Sequence, residues 1–221
     1  MSTATSLTVT VYGHGSHGSM PHLSVDPVVL ASSIVLRLQT VVSREVDPHQ
    51  FAVLTVGALQ AGSKANIIPD SATLRINVRA YSEEIREQIV VAIHRIVNAE
   101  CQAAMSPREP EITESDNYPL TVNDEEVTNK VRAQLVDVLG SDNVLDMEPW
   151  TASEDFSRLP DAFGAPYCFW GFGGRTDGVS VPNHNPRFAP ELKPTLTTAT
   201  QALIAAAYAY LGNQSKDDLK E

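Results

Sequence analysis

The sequence predicts an α/β (α+β) protein in two sections: a β-α-β-β-α-β unit over residues 6–117, then a section over 118–213 that reads as part of a larger α/β sheet. Three observations predict it. Apolar and polar residues alternate in well-separated short runs, the period of half-buried strands. Two longer segments between those runs carry apolar residues at helical spacing. After Tyr118 the pattern changes to helices joined by short strand-like pieces.

Leu7, Val9 and Val11 alternate with Thr8, Thr10 and Tyr12 as the first strand. It runs into Gly13-His14-Gly15-Ser16-His17-Gly18, a flexible loop. Asp26-Pro27 opens a helix, because Asp26 can accept from first-turn amides and Pro27 suits the first helical position. Its apolar stripe is Ala31, Ile34, Val35, Leu38, Val41 and Val42. Phe51 to Leu59 reads as a second strand, broken by Gly62-Ser63. Asn66-Ile67-Ile68-Pro69-Asp70 then leads into a turn, and Ala72, Leu74, Ile76 and Val78 alternate in a third strand. A second helix starts at Glu83, with Ile85, Ile89, Ala92, Ile96 and Ala99 on one side. Pro107 and Pro110 end that region, and Glu111 to Glu114 makes a fourth strand. This order is the ferredoxin-like split βαβ pattern, an open sheet with two helices on one face.

In the second section, Asn123 and Glu126 have capping-box spacing ahead of Val127, Val131, Leu135 and Val138. Gly140 is the expected stop. Strands are expected at Asn143–Leu145 and Tyr167–Trp170, with the polar run Ser153-Glu154-Asp155-Phe156 between them. Pro194 opens an alanine-rich helix ending at Leu211-Gly212, and a polar tail closes the chain at 214–221. Two or three strands are too few for a whole α/β sheet, so this section is expected to leave apolar strand faces uncovered and to be the less stable of the two.

The chain has 221 residues, room for one large or two small domains. Hydrophobic residues make up 43% and charged residues 19%, an ordinary balance for a well-cored protein. A formal net charge of −11 speaks against nucleic acid as a partner, since phosphate binding needs clustered Lys and Arg. No stretch reaches the roughly 18 apolar residues of a membrane span. Met1 to Ser6 has no basic region and no signal-peptide core, so the cytoplasm is the expected location. Cys101 and Cys168 are expected as reduced, buried thiols.

Four of the six histidines sit in candidate sites: His14, His17, His22 and His184. His49 and His94 read as surface residues. The first three fall in one glycine-rich loop, which allows three readings. They could converge on zinc, which takes three or four ligands at about 2 Å. One imidazole could donate a hydrogen bond to a substrate oxygen, the glycines letting the ligand come close. Or the loop is an exposed turn. Around His184, Pro182 and Pro186 stiffen the chain, which suits a metal ligand, although a lone loop histidine is as readily structural.

The stretch from Gly13 through His17 to Pro21-His22, followed by Asp26-Pro27, resembles the G-x-G-G-H-x-x-x-P-H…D-P signature of the zinc-dependent aminoacylase and carboxypeptidase family. The hippurate hydrolase and indole-acetyl-amino-acid hydrolase branch is the most similar. Further matches follow in order: Gly57, Gly62 and Asn66-Ile67-Ile68-Pro69; Val78-Arg79; Ser153-Glu154-Asp155-Phe156; and His184-Asn185-Pro186-Arg187-Phe188. His14 stands where the family has Lys or Arg and takes no role.

The resemblance implies a lid or dimerisation domain followed by the C-terminal part of a metallopeptidase catalytic domain. His184 would be a ligand of one of two divalent metals, zinc in the first instance, with manganese, nickel or cobalt as alternatives. His17 would reach into the partner subunit's site and stabilise the oxyanion. Asn66 and Arg79 would hold the substrate, Arg79 through its bidentate fork on a carboxylate. Glu154 and Gly171 to Gly174 would lie near the cleft. The family's other metal ligands and its general base do not appear before Leu7, so the chain alone is not expected to hydrolyse an amide at enzymatic rates. Three expectations therefore compete. The chain is part of an amidohydrolase acting on small N-acyl amino acids; or it is a non-catalytic module that homodimerises through an edge strand and helix; or it holds its own metal on His14, His17 and His22.

Overall fold

A computed structural model describes residues 1–175, 181 and 184–212. Pro182, Asn183 and the polar tail from 213 to 221 lie outside the described residues. The chain divides into two compact units, Met1–Thr121 with Pro149–Asp155, and Val122–Glu148 with Phe156–Glu221.

The first unit contains β1 (Thr3–Tyr12), β2 (Ser16–His17), α1 (Pro27–Thr40), β3 (Ala52–Ala61), β4 (Ile67–Ile68), β5 (Ser71–Ala80), α2 (Glu83–Ala103) and β6 (Glu111–Tyr118). The four long strands form one sheet in the order β3-β5-β1-β6, every neighbour antiparallel. β5 lies between β1 and β3, the split βαβ arrangement that the element order predicts. β1 begins four residues before Leu7. Its start is hidden in the sequence because Thr3, Ala4 and Thr5 are all buried there, two of them threonines and with no alternation. β2 and β4, expected as loop, pair as a short ribbon beside the main sheet.

Leu7, Val9 and Val11 of β1 and Leu74, Ile76 and Val78 of β5 form the floor of the core. α1 covers it with Leu30, Ala31, Ile34 and Leu38, and α2 with Ile89, Ile93, Ile96 and Val97. Asp26 caps α1 as expected, accepting from the Val28 amide at 2.8 Å. The buried face of α2 keeps Ile89, Ala92 and Ile96 of the expected stripe, with Ile85 packed against the core, and widens along the i+4 ridge through Ile93, Val97 and Cys101, while Ala99 is exposed.

α2 ends in a Schellman motif. The Ser106 amide donates to the Cys101 carbonyl at 2.9 Å, and the Met105 amide to the Gln102 carbonyl at 3.1 Å. Met105 takes the left-handed position with φ 55 and leaves its side chain 79% exposed. Glycine has no Cβ penalty there. Met105→Gly should therefore raise stability by roughly 0.5–1 kcal/mol, seen as a higher denaturant midpoint at unchanged slope.

Cys101 is buried, and its thiol is pushed up to about 11, first by burial and then by the charges of Glu109 and Glu100. The folded state thus favours the protonated thiol. Its contribution to stability is complete below the unfolded thiol's range near roughly pH 8.5 and is lost as pH rises from there through about 11. At pH 8 a thiol reagent should label half-buried Cys168 first and Cys101 only after unfolding; equal native labelling rates would refute this.

The second unit holds α3 (Glu125–Leu139), α4 (Arg158–Ala162) and α5 (Leu192–Leu211). α3 is capped by Asp124, which accepts from the Val127 amide at 2.9 Å, and not by Asn123. Asn123 instead bonds Phe169 reciprocally, its amide nitrogen donating to the Phe169 carbonyl at 2.8 Å and its oxygen accepting from the Phe169 amide at 2.7 Å. Neither expected strand forms among the described residues. Ser141–Asn143 is a 3-10 turn, and Tyr167–Trp170 is held by the Asn123 side chain in place of a ladder. α5 becomes regular at Pro194, as expected, since Lys193 is extended. Ala202 and Ala205 bury against Val131 and Leu135 of α3. Leu196, Leu203, Ile204 and Leu211 are more than 60% exposed. Exposed apolar surface thus lies on α5 and also at Leu145, Phe163 and Phe172 outside it. Among the described residues no helix is long and apolar enough to cross a membrane.

Candidate functional site

His17 and Asn66 are brought together by the β2–β4 ribbon. His17 pairs in register with Ile67, and the Gly18 amide donates to the Asn66 carbonyl at 2.8 Å. The loop leading to His17 is pinned, against the expectation of flexibility. The Gly13 amide donates to the Asp70 carbonyl at 2.8 Å, and the Gly15 amide to Asp70 Oδ1 at 2.8 Å. His14 and Val25 exchange backbone bonds of 2.9 and 3.1 Å. Glycine is required at 15 for space, since a Cβ would lie 2.6 Å from the Ile68 carbonyl oxygen. His17 itself is exposed, with Ser19 Oγ 2.7 Å from its Nδ1.

Arg79 is half-buried at the far end of β5, paired across to Ala4 and Val53. Its Nε donates to Asn77 Oδ1 at 3.0 Å, and its Nη1 to the Thr151 carbonyl at 2.9 Å and Ser153 Oγ at 3.1 Å. The segment Pro149–Asp155 is held there by Ser2 as well, whose hydroxyl donates to the Thr151 carbonyl at 2.8 Å. Nη2 has no hydrogen-bond partner among the described residues.

His184 is exposed and has φ 67, a left-handed conformation that non-glycine residues adopt at a cost. Asn185 fixes the turn after it, accepting from the Arg187 amide at 2.9 Å and the Phe188 amide at 2.8 Å. His184 lies in the second unit and the other three expected residues in the first, so the structure groups His17 with Asn66 alone. Glu154 is exposed, as are Gly171 and Gly173.

Among the described residues no group of three or more His, Cys, Asp or Glu can hold a metal ion. His14, His17 and His22 are all exposed and do not converge. The described residues thus do not by themselves fit a metal centre, at this loop or at His184. Two supporting residues escaped the sequence reading. Asp70 anchors the loop with its carbonyl and its carboxylate, and Ser19 supports the His17 ring. The Pro69-Asp70 pair closing the Asn66 run was the available signal for the first.

A family model described as a peptidase dimerisation domain, of the M20 type, matches residues 2–105. Thermostable carboxypeptidase 2 of Saccharolobus solfataricus is 33% identical over 188 residues, covering 85% of this chain and 47% of that protein. Hippurate hydrolase of Campylobacter jejuni is 35% identical over 170 residues, covering 76% and 44%. A solved Bacillus subtilis structure, a dinuclear metal-binding peptidase of the M20 family, matches with a TM-score of 0.68 at 22% identity, covering 94% of this chain and 49% of that one, a likeness of fold alone. The chain spans about half the length of the curated relatives it matches, 47–52% for the first four.

Proposed function

The chain belongs to the M20 family through its peptidase dimerisation domain, and from that premise we propose that it is the dimer-forming and substrate-orienting part of a metal-dependent amidohydrolase acting on N-acyl amino acids. On this reading residues 6–117 are the lid and dimerisation domain, and 118–213 are the C-terminal part of a catalytic domain.

One observation carries the proposal. His17 with Asn66 sits at the Ser71 end of β5, and Arg79 sits eight residues along it. At 3.3 Å per residue that is about 26 Å, too far for one copy to grip both ends of a small ligand. An antiparallel two-fold pairing of β3 with its copy removes the difficulty. The Ala61 end of one β3 then meets the Ala52 end of the other, and Arg79 is paired beside Val53 at that end. One copy's His17 and Asn66 come within two or three strand spacings, about 10–14 Å, of the other's Arg79. β3 suits this pairing, since Ala52–Ala61 carries no charge, whereas the opposite edge, β6, carries Glu111, Glu114 and Asp116.

Arg79 would bind the substrate carboxylate, while His17 and Asn66 of the partner bond the acyl oxygen as charge develops on it. His184 would be one metal ligand, the others coming from outside the described residues. The chain is acidic, with a net charge of −11, which supports a small-molecule ligand and not nucleic acid. A second reading is a dimerisation module without chemistry of its own, which the uncharged β3 edge supports equally.

The test is oligomeric state, metal content and hydrolysis of N-benzoylglycine by the purified chain with zinc or manganese. A dimer that binds the ligand, without stoichiometric metal or turnover, is expected. Two tightly held metals with turnover lost in His184→Ala would overturn the partial-site assignment. A dimer with no affinity for the ligand would leave only the second reading, and a monomer would sink both.

A further inference from the structure

We propose that Ser19 is a positioning residue that locks His17 in the neutral tautomer protonated on Nε2. The Ser19 backbone N–H donates to His17 Nδ1 at 3.3 Å. A backbone N–H cannot accept, so Nδ1 must present its lone pair. The Ser19 hydroxyl, 2.7 Å from the same nitrogen, can then only donate to it. With Nδ1 unprotonated, the ring proton of the neutral imidazole is on Nε2.

The turn that carries Ser19 is itself fixed. The Met20 amide donates to the His17 carbonyl at 2.8 Å, and Ser16 Oγ to the Met20 carbonyl at 3.2 Å. The Gly18 amide ties the turn to Asn66. His17 and Ser19 are both exposed, so these bonds, more than burial, orient the ring. The lock leaves Nε2–H as the only donor the ring offers to a ligand. That purpose rests on His17 acting as a donor to substrate oxygen, as proposed above; the tautomer itself follows from the geometry.

The test is long-range proton–nitrogen NMR of the histidine rings in the intact chain, at a pH where imidazole is neutral. Wild-type His17 should show a single Nε2–H form. Ser19→Ala should raise the ratio of the Nδ1–H to the Nε2–H form about fivefold, the loss of one ordinary hydrogen bond. Ser19→Thr, which keeps the hydroxyl, should match wild type, and the His22 and His94 signals should stay in place in all three. A His17 ring protonated on Nδ1, or a ratio unchanged in Ser19→Ala, overturns the lock. If the tautomer is as expected but adding N-benzoylglycine leaves the Nε2 signal unmoved, the lock stands and the ligand-binding role of His17 falls.

Discussion

Charging the outer flank of α1 should split the dimer without unfolding the first unit. Ser33 marks the flank facing α2, since its hydroxyl donates to Glu100 Oε2 at 2.7 Å. At 3.6 residues per turn, Val28, Val35 and Gln39 lie on the opposite flank, toward the β3 edge. Val35 packs against the core and is left alone. Val28 and Gln39 are exposed, so Val28→Glu with Gln39→Glu should cost the isolated unit little. A carboxylate at 28 is even favoured by the helix N-terminus. In a two-fold dimer paired along β3, α1 lies against its own copy, and the double variant brings four like charges into that contact. Juxtaposed like charges cost several kcal/mol, so the dimer should weaken at least about 100-fold. A sedimentation velocity dilution series reads this directly. Thr113→Lys on the opposite edge strand should leave the dimer intact. The reverse pattern, with Thr113→Lys dissociating and the α1 variant not, would move the interface to β6.

The β-α-β-β-α-β unit was legible because each of its elements carries its own period and its own boundary signal. Asp26-Pro27 and the alternation through Leu74, Ile76 and Val78 are local patterns that the fold keeps. The misses are places where a distant group decides. The start of β1 at Thr3 is missed because the buried threonines there read as polar surface. Asn123 looks like a cap, but its side chain stitches Phe169 and leaves capping to Asp124. The glycine loop looks flexible in sequence, but Asp70, more than fifty residues away, pins it from two atoms. For the candidate site, motif matches point to His17, Asn66, Arg79 and His184, and only the fold puts the first two on one ribbon and Arg79 at the other end of the sheet. The distance along β5 turns a set of four residues into a question about two copies.

Mixing two defective homodimers should restore binding, and by a calculable amount. If each ligand is gripped by Arg79 of one copy and His17 of the other, His17→Ala and Arg79→Ala each damage both sites of their own homodimer. Losing a charge-assisted contact such as that of Arg79 costs about 1.5–3 kcal/mol, so its affinity should fall at least tenfold. Now let one copy of each variant pair. One site draws the altered residue from both copies and is doubly damaged. The other draws native Arg79 from the His17→Ala copy and native His17 from the Arg79→Ala copy, so it is whole. Random exchange makes half the dimers mixed, and each mixed dimer has one native site of two, so about a quarter of wild-type sites return. N-benzoylglycine titration counts them. If both residues acted within one copy, every site in the mixture would carry one defect and no native site would appear. Adding Val28→Glu and Gln39→Glu to both variants should abolish the recovery, because a whole site then has no second copy to complete it. No recovery in a fully exchanged mixture would show the ligand is held within one chain, and the 26 Å separation along β5 would have to be bridged some other way.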